Sequence, residues 1–182
     1  MNKLRIVVVF LAATVIFQSP AKAQKNKAVM NEHVNSADSV KGITIHQEVY
    51  FGVVPEQLYK ALLSSEQFSA STKQSFDMFT ASSANIDARE GGSFSLFDGH
   101  IIGRILELVP GKRIVEAWRV VDWPEGVYSI ARFDLVPKGP GTQLSFDHIG
   151  FPEGLKQHLT SGWQQHYWDA LGKYFQGHVK PV

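Results

Sequence analysis

Seven histidines are the side chains of this sequence best suited to acid–base or metal chemistry. His158 and His166 share the last predicted helix, but a separation of eight residues turns them about 80° apart around a helix of 3.6 residues per turn. No third ligand has the spacing of a zinc motif, and the sequence H-E-x-x-H is absent. The sequence therefore predicts no metal site and no cofactor.

Three polar side chains on predicted strands leave two interpretations open. His148 alternates with Leu144 and Phe146, which places it in the inward-facing set of its strand. It would either hydrogen-bond a ligand there or tie down the strand end as a buried, satisfied histidine, and we favour the second role. Arg132 and Glu116 would either line a cavity or lie on an exposed strand face, and we favour the exposed face.

Nucleophilic and phosphate-binding motifs are also missing. Ser129 and Ser145 lack the flanking glycines of a G-x-S-x-G nucleophile turn. The glycine pair at 91–92 and the Gly139-Pro140-Gly141 stretch carry no Walker lysine and precede no helix. An enzyme would need a convergent acid–base pair, and the sequence identifies none. We therefore assign no catalytic residue and favour a protein without chemistry of its own.

Alternating and helical patterns define the elements that would position these side chains. Residues 43–50 alternate as a strand, and two short helices follow, the first opening at Pro55. From residue 84 to 149 the chain reads as strands and tight turns, with Asp98-Gly99 as the strongest hairpin signal. Consecutive strands joined by short turns indicate an antiparallel meander of about six or seven strands.

One long helix is predicted over residues 155–175. It carries an apolar face about 160° wide, which must be buried against the curved sheet and makes the fold class α+β. Trp168 and Phe175 fall away from the centre of that face, so they would either mark the surface for a protein partner or cover a sheet edge or the short helices. The residues of the predicted apolar face are Leu155, Leu159, Trp163, Tyr167, Ala170, Leu171 and Tyr174.

The N-terminus has the features of an export signal. Lys3 and Arg5 precede an apolar run over residues 6–17, and Ala21-Lys22-Ala23 matches the small-x-small site of a signal peptidase. As a helix this run spans only about 18 Å, short of the roughly 30 Å hydrocarbon core. We therefore expect a signal peptide over 1–23 cleaved near Ala23, a flexible leader over 24–42 and a folded domain over 43–177. The mature protein would be periplasmic or secreted, without a membrane span.

Composition agrees with a single globular domain. The chain has 182 residues, of which 44% are hydrophobic and 19% charged, as expected for one domain with a sizeable core. It contains no cysteine, which excludes disulfides and a thiol nucleophile. The net charge is only +1 and includes three basic residues of the predicted signal peptide, so no basic excess favours nucleic-acid binding.

Three stretches carry motifs whose order and spacing are specific. They are Gly91-Gly92-x-Phe94 through Asp98-Gly99-x-Ile101-x-Gly103, Pro110 and Trp118-Arg119; then Gly141-Thr142-x-Leu144, His148 and Gly150-x-Pro152; then Gly162-Trp163, Tyr167-Trp168 and Leu171. Over residues 43–176 the chain resembles the C-terminal domain of activators of the heat-shock-protein-90 ATPase. That domain is a branch of the SRPBCC (START-like) superfamily, whose helix-grip fold wraps a curved sheet around the last helix.

The resemblance implies a cavity between sheet and helix that binds a small apolar or amphipathic molecule. Aromatic side chains with a few polar groups suit such a cavity, and our candidate ligand-binding residues are Phe94, Trp118, Tyr128, His148, Trp163 and Tyr167. The alternative is a co-chaperone-like module that binds a chaperone ATPase. The single domain and the expected export weaken that alternative. An enzyme using the same cavity is the third hypothesis.

Overall fold

The computed structural model describes residues 44–73 and 83–178. The predicted signal peptide and leader lie outside these residues. The elements in chain order are β1 (Thr44–Phe51), α1 (Pro55–Leu63), α2 (Ser65–Thr72), β2 (Asn85–Ile86), β3 (Ser93–Leu96), β4 (Ile101–Val109), β5 (Arg113–Val120), β6 (Ser129–Lys138), β7 (Gly141–Ile149), α3 (Lys156–Gly162), a π-helical segment (Trp163–Trp168) and α4 (Asp169–His178).

The seven described strands form one antiparallel sheet in the order β1-β7-β6-β5-β4-β3-β2. Strands β2 to β7 pair with their sequence neighbours, as a meander requires, and β1 closes the order beside β7. One face of the sheet is buried beneath the last helix through Ile114, Phe133, Leu144 and Phe146. The predicted α+β helix-grip architecture is therefore confirmed, including the two short helices after the first strand.

The opposite sheet face carries a ladder of ion pairs. Arg113 Nε lies 2.6 Å from Asp134 Oδ1, Arg132 Nε lies 2.7 Å from Asp134 Oδ2, and Arg132 Nη2 lies 3.3 Å from Asp147 Oδ2. His46 Nδ1 lies 2.8 Å from Asp147 Oδ1, which raises the pKa of His46. The exposed interpretation is thus confirmed for Arg132, whereas Glu116 lies on the buried face and that interpretation is wrong for it.

The last helix is not a regular α-helix throughout. Between α3 and α4, the backbone over Trp163–Trp168 is π-helical, and the Asp169 N–H donates to the Gln164 carbonyl five residues earlier. Each π-turn takes in an extra residue, so later side chains no longer fall where a 100° wheel puts them. Trp168 and Phe175 consequently turn inward and are only 2% and 7% exposed.

The inward rotation corrects one prediction. Trp168 packs edge-on against Phe146 at 5.1 Å between ring centroids, and Phe175 packs edge-on against Phe51 at 6.2 Å. These two aromatics cover the sheet, as the second interpretation stated. The prediction that Trp168 and Phe175 form a surface for a protein partner is therefore wrong, because both side chains are almost entirely buried.

Gln47 on β1 forms hydrogen bonds with helix α3 and with the last residue of the π-helical segment. Its Nε2 donates to the Thr160 carbonyl at 3.3 Å, and its Oε1 accepts from Trp168 Nε1 at 2.9 Å. One side chain thus satisfies a carbonyl at the start of the irregular helix and the buried indole N–H at its end. The edge strand β1 thereby fixes the register of the helix on the sheet.

We expect Gln47→Ala to lower the free energy of unfolding by about 1–3 kcal/mol, because it leaves the buried Trp168 N–H without an acceptor. Gln164→Ala is the matched control, since Gln164 lies in the same segment and only meets the exposed Asp169 carboxylate. That control should stay within about 0.5 kcal/mol of wild type. Urea unfolding compares the two, and equal losses would contradict the role of Gln47.

Candidate ligand-binding cavity

A cavity of about 600 Å³ opens between the last helix and one end of the sheet. It is bounded by the turn between β3 and β4, the first residue of β4, the end of β5, helix α3 and the π-helical segment. The lining residues are Phe97, Asp98, Gly99, His100, Ile101, Trp118, Val120, Val121, His158, Leu159, Ser161, Gly162, Trp163, Gln165, His166 and Tyr167. Its volume lies within the range of pockets that hold drug-sized ligands.

The inner wall is aromatic. Trp163 lies 4.1 Å from Tyr167 and 5.4 Å from Trp118 between ring centroids. Trp118 Nε1 donates to the Tyr167 hydroxyl at 3.4 Å. Burial holds the pKa of Tyr167 well above its ordinary value, so the hydroxyl keeps its proton and can donate as well as accept. The wall therefore offers flat apolar surface with one neutral polar group.

A strained turn carries Phe97 into the cavity. The predicted two-residue turn at Asp98-Gly99 is instead a four-residue turn, in which Phe97 and Asp98 have φ of 53° and 55°. Positive φ is costly for a bulky residue such as phenylalanine, and such strain concentrates at functional sites. Phe97 packs at 5.5 Å from the Tyr167 ring, while Asp98 Oδ1 accepts from the Ser83 amide and hydroxyl.

The rim is polar and rich in imidazole. His100 projects from the turn, and His158 and His166 come from either side of the point where the helix becomes π-helical. Burial, and secondarily the charge of His158, lower the pKa of His166. Asp98 is the single carboxylate among the lining residues, which include no lysine or arginine.

Half of the six predicted ligand-binding residues lie on the cavity wall. Trp118, Trp163 and Tyr167 line it. Phe94 and His148 are buried in the core outside this lining, and Tyr128 is 47% exposed beneath the Arg119 guanidinium, 5.5 Å from its ring centre. Direct ligand contact by these six residues stays a prediction.

Sequence reasoning missed Phe97, Ile101, Leu159 and the histidine rim. Two signals pointed toward them: Phe97 precedes the strongest turn signal, and Leu159 lies one helical turn before Trp163. Neither signal indicates a cavity by itself, because a cavity is a property of how several elements meet.

His148 is fully buried in a chain of hydrogen bonds. Trp163 Nε1 donates to His148 Nδ1 at 3.0 Å, His148 Nε2 lies 2.6 Å from Ser129 Oγ, and Ser129 Oγ donates to the Trp118 carbonyl at 2.8 Å. Because Nδ1 accepts, Nε2 must carry the proton of the neutral imidazole. Burial lowers the pKa of His148 to about 3. The satisfied, strand-anchoring role that we favoured matches this geometry.

Glu116 is a buried carboxyl on the concave sheet face. It lies between Ile105 of β4 and Ala131 of β6, both fully buried, and is itself 9% exposed. No hydrogen bond or ion pair within the described residues involves its carboxyl group, although its charge contributes to raising the pKa of Tyr167. Burial raises its pKa to about 8, so the side chain is mostly neutral at pH 7.

The described residues contain no group of three histidine, aspartate or glutamate side chains arranged to hold a metal ion. No helix in residues 44–73 or 83–178 is long and apolar enough to cross a membrane. The curved sheet, the gripped helix and the cavity between them define a helix-grip protein of the SRPBCC class.

The family model "Activator of Hsp90 ATPase homolog 1-like protein" matches residues 53–176, and the chain belongs to this family. It is 31% identical over 121 residues to the human protein "Activator of 90 kDa heat shock protein ATPase homolog 1". That match covers 66% of this chain and 33% of the human protein. The chain thus spans about a third of the length of the curated relatives it matches.

Two solved structures show the same fold. An HSP90 activator from Plasmodium falciparum superposes with a TM-score of 0.67 at 26% identity, covering 74% of this chain and 97% of that one. CalU16 from Micromonospora echinospora superposes with a TM-score of 0.59 at 23% identity, covering 72% and 74%. The second likeness concerns the fold alone.

Proposed function

We propose that this protein is an exported domain that binds a small apolar or amphipathic molecule between the sheet and the last helix. The observation that carries the proposal is the 600 Å³ cavity with its wall of Trp118, Trp163 and Tyr167. Each apolar Å² of ligand removed from water contributes about 25 cal/mol, so a ligand of one or two rings gains several kcal/mol from burial. The polar rim would hold its hydrophilic end at the surface.

The first test is native mass spectrometry of the protein purified from its exported fraction, followed by denaturing extraction of any bound molecule. We expect a co-purifying small molecule that is lost in Trp118→Ala and Tyr167→Ala. Because both side chains also pack in the core, Val120→Trp serves as a second variant that fills the cavity from its lining. Tyr50→Ala is the matched control and should retain the molecule, because Tyr50 is an equally exposed tyrosine on β1 that is not among the residues lining the cavity.

A protein without bound molecule that also shows no thermal shift with a library of lipids and aromatic compounds would contradict ligand binding.

The intact mass of the same purified protein also tests export. A mature chain that begins at Gln24 is expected, whereas a chain that keeps residues 1–23 would contradict cleavage near Ala23.

A second candidate function is a co-chaperone-like role, which the family and the names of the matched relatives favour. We place it second because the chain spans about a third of those relatives and because we expect export. Stimulation of an Hsp90-type ATPase by the purified domain, undiminished in Val120→Trp, would favour this role over ligand binding.

A further inference from the structure

The rim of the cavity is a cluster of titratable groups that nothing in the family match assigns to a role. Three imidazoles, those of His100, His158 and His166, share the opening with the Asp98 carboxylate. Histidine ordinarily gains its proton near pH 6.5. Each imidazole that takes up a proton adds one positive charge beside this carboxylate.

We propose that the cavity selects amphipathic acids, holding an apolar or aromatic body against its wall and a carboxylate at the histidine rim, with affinity that rises as the pH falls. The proposal deepens the proposed function and rests on it. A protonated imidazole is both a positive charge and a two-sided hydrogen-bond donor, which suits a carboxylate. An amine or other cation would be bound more weakly in acid, because protonated imidazoles repel a positive charge.

The other groups that face the rim do not reverse this dependence. From β4 and β5 the lining residues are uncharged, and on the helix the hydroxyl of Tyr167 stays neutral. Asp98 accepts two hydrogen bonds from Ser83, and its carboxylate opposes anion binding when the histidines are neutral. Burial and the charge of His158 lower the pKa of His166, so this imidazole gains its proton at a more acidic pH than an ordinary histidine. Deeper in the core, Glu116 and His148 are both neutral around pH 6.

The π-helical segment brings His158 and His166 to the same cavity. A wheel with 100° per residue separates His158 and His166 by about 80°. In the structure both line the same cavity, and the charge of His158 lowers the pKa of His166. The irregular helix therefore places two imidazoles at one opening that a regular helix would have separated.

Three ring-matched probes test the proposal: 2-naphthoate, 2-naphthol and 2-naphthylmethylamine. Their binding is measured by isothermal titration calorimetry at about pH 7.5 and about pH 5.5, on either side of the ordinary histidine pKa, where the carboxylate of the probe is ionised. We expect the Kd of 2-naphthoate to fall about tenfold in acid, since each exposed charge pair changes affinity a few-fold. The Kd of 2-naphthol should not change, and the amine should bind more weakly.

The triple variant His100→Gln, His158→Gln, His166→Gln should bind 2-naphthol like wild type and lose the pH dependence for 2-naphthoate. The single variants at the exposed His100 and His158 should each lose part of it, and they keep the test valid if the triple variant does not fold. His46→Gln, on the opposite sheet face, is the matched control and should retain the full tenfold change.

If wild type binds 2-naphthol but shows no acid-enhanced binding of 2-naphthoate, this inference is overturned and the proposed function stands. If none of the probes binds at either pH, the proposed function fails with it.

Discussion

Glu116→Gln is expected to raise the free energy of unfolding by about 3 kcal/mol at pH 7. The Glu116 side chain is 9% exposed and makes no hydrogen bond or ion pair with the described residues, and burial raises its pKa from 4.5 to about 8. In the unfolded chain the same carboxyl is ionised at pH 7. Folding must therefore bind a proton at this pH, which lowers the free energy of unfolding. Glutamine has nearly the same shape and no proton to release.

The sign of the pH dependence follows from that proton. Between about pH 4.5 and pH 8 the folded state binds more protons at Glu116 than the unfolded state, so this group lowers stability as the pH rises. The slope is about 1.4 kcal/mol per pH unit. Wild type and Glu116→Gln should therefore have similar stability near pH 4 and diverge steadily up to pH 8.

Urea unfolding at four pH values between about 4 and 8 measures this divergence. Glu125→Gln is the control, because Glu125 is an exposed carboxylate in the loop after β5 and should leave the curve unchanged. Parallel curves for wild type and Glu116→Gln would show that Glu116 is ionised or paired in the folded protein, and the burial argument would fail.

The second large effect concerns His148 and has the opposite sign. The folded state keeps His148 neutral down to about pH 3, whereas the unfolded chain protonates it below 6.5. The unfolded state therefore binds the extra proton, and wild type should lose about 3 kcal/mol of stability from this group between pH 7 and pH 4. His148→Gln, which can still accept from Trp163 and donate to Ser129, should lack this contribution.

The measurement is the difference between the two stability curves over that range, since other acid-titrating groups are common to both proteins and cancel. His46→Gln is the control for the pH dependence. In wild type, Asp147 raises the pKa of His46, so the contribution of His46 to stability is lost as the pH rises. This contribution is small because the His46–Asp147 pair is exposed. If His148→Gln and wild type lose stability in parallel, the imidazole is protonated inside the fold and the assigned tautomer is wrong.

These two buried groups also bear on function. Glu116 and His148 keep the interior beneath the helix uncharged across the neutral range, although both side chains are titratable. The imidazoles of His100, His158 and His166 lie instead among the residues that line the cavity. The interior thus stays suited to an apolar ligand while the opening responds to pH.

Much of the fold was predictable from local pattern. The period-2 alternation identified β1, β5 and β7 to within a residue or two, and it placed His148 with Leu144 and Phe146 on the buried face. Alternation is a geometric property of an extended chain, so it needs no knowledge of distant residues. The same alternation places Glu116 with Ile114 and Trp118, so the exposed interpretation of Glu116 went against the pattern of its own strand.

The helix shows where local pattern stops. Tyr167 and Trp168 are adjacent and both buried, which a regular α-helix on a flat contact disfavours because successive side chains differ by 100°. The π-turns resolve this conflict, and Gln47 from β1 stabilises the result through Thr160 and Trp168. The position of these turns depends on packing against the sheet, which no window of the helix sequence contains.

By itself the sequence determined the fold class and the antiparallel meander, and it named three of the aromatics on the cavity wall, because each depends on local periodicity, turn chemistry or family motifs. The export signal stays a prediction. The tertiary structure alone decided the inward rotation of Trp168 and Phe175, the burial of Glu116 and the meeting of three histidines at one opening. The physical reason is that exposure and charge environment depend on which elements cover a residue, and those elements are distant in sequence.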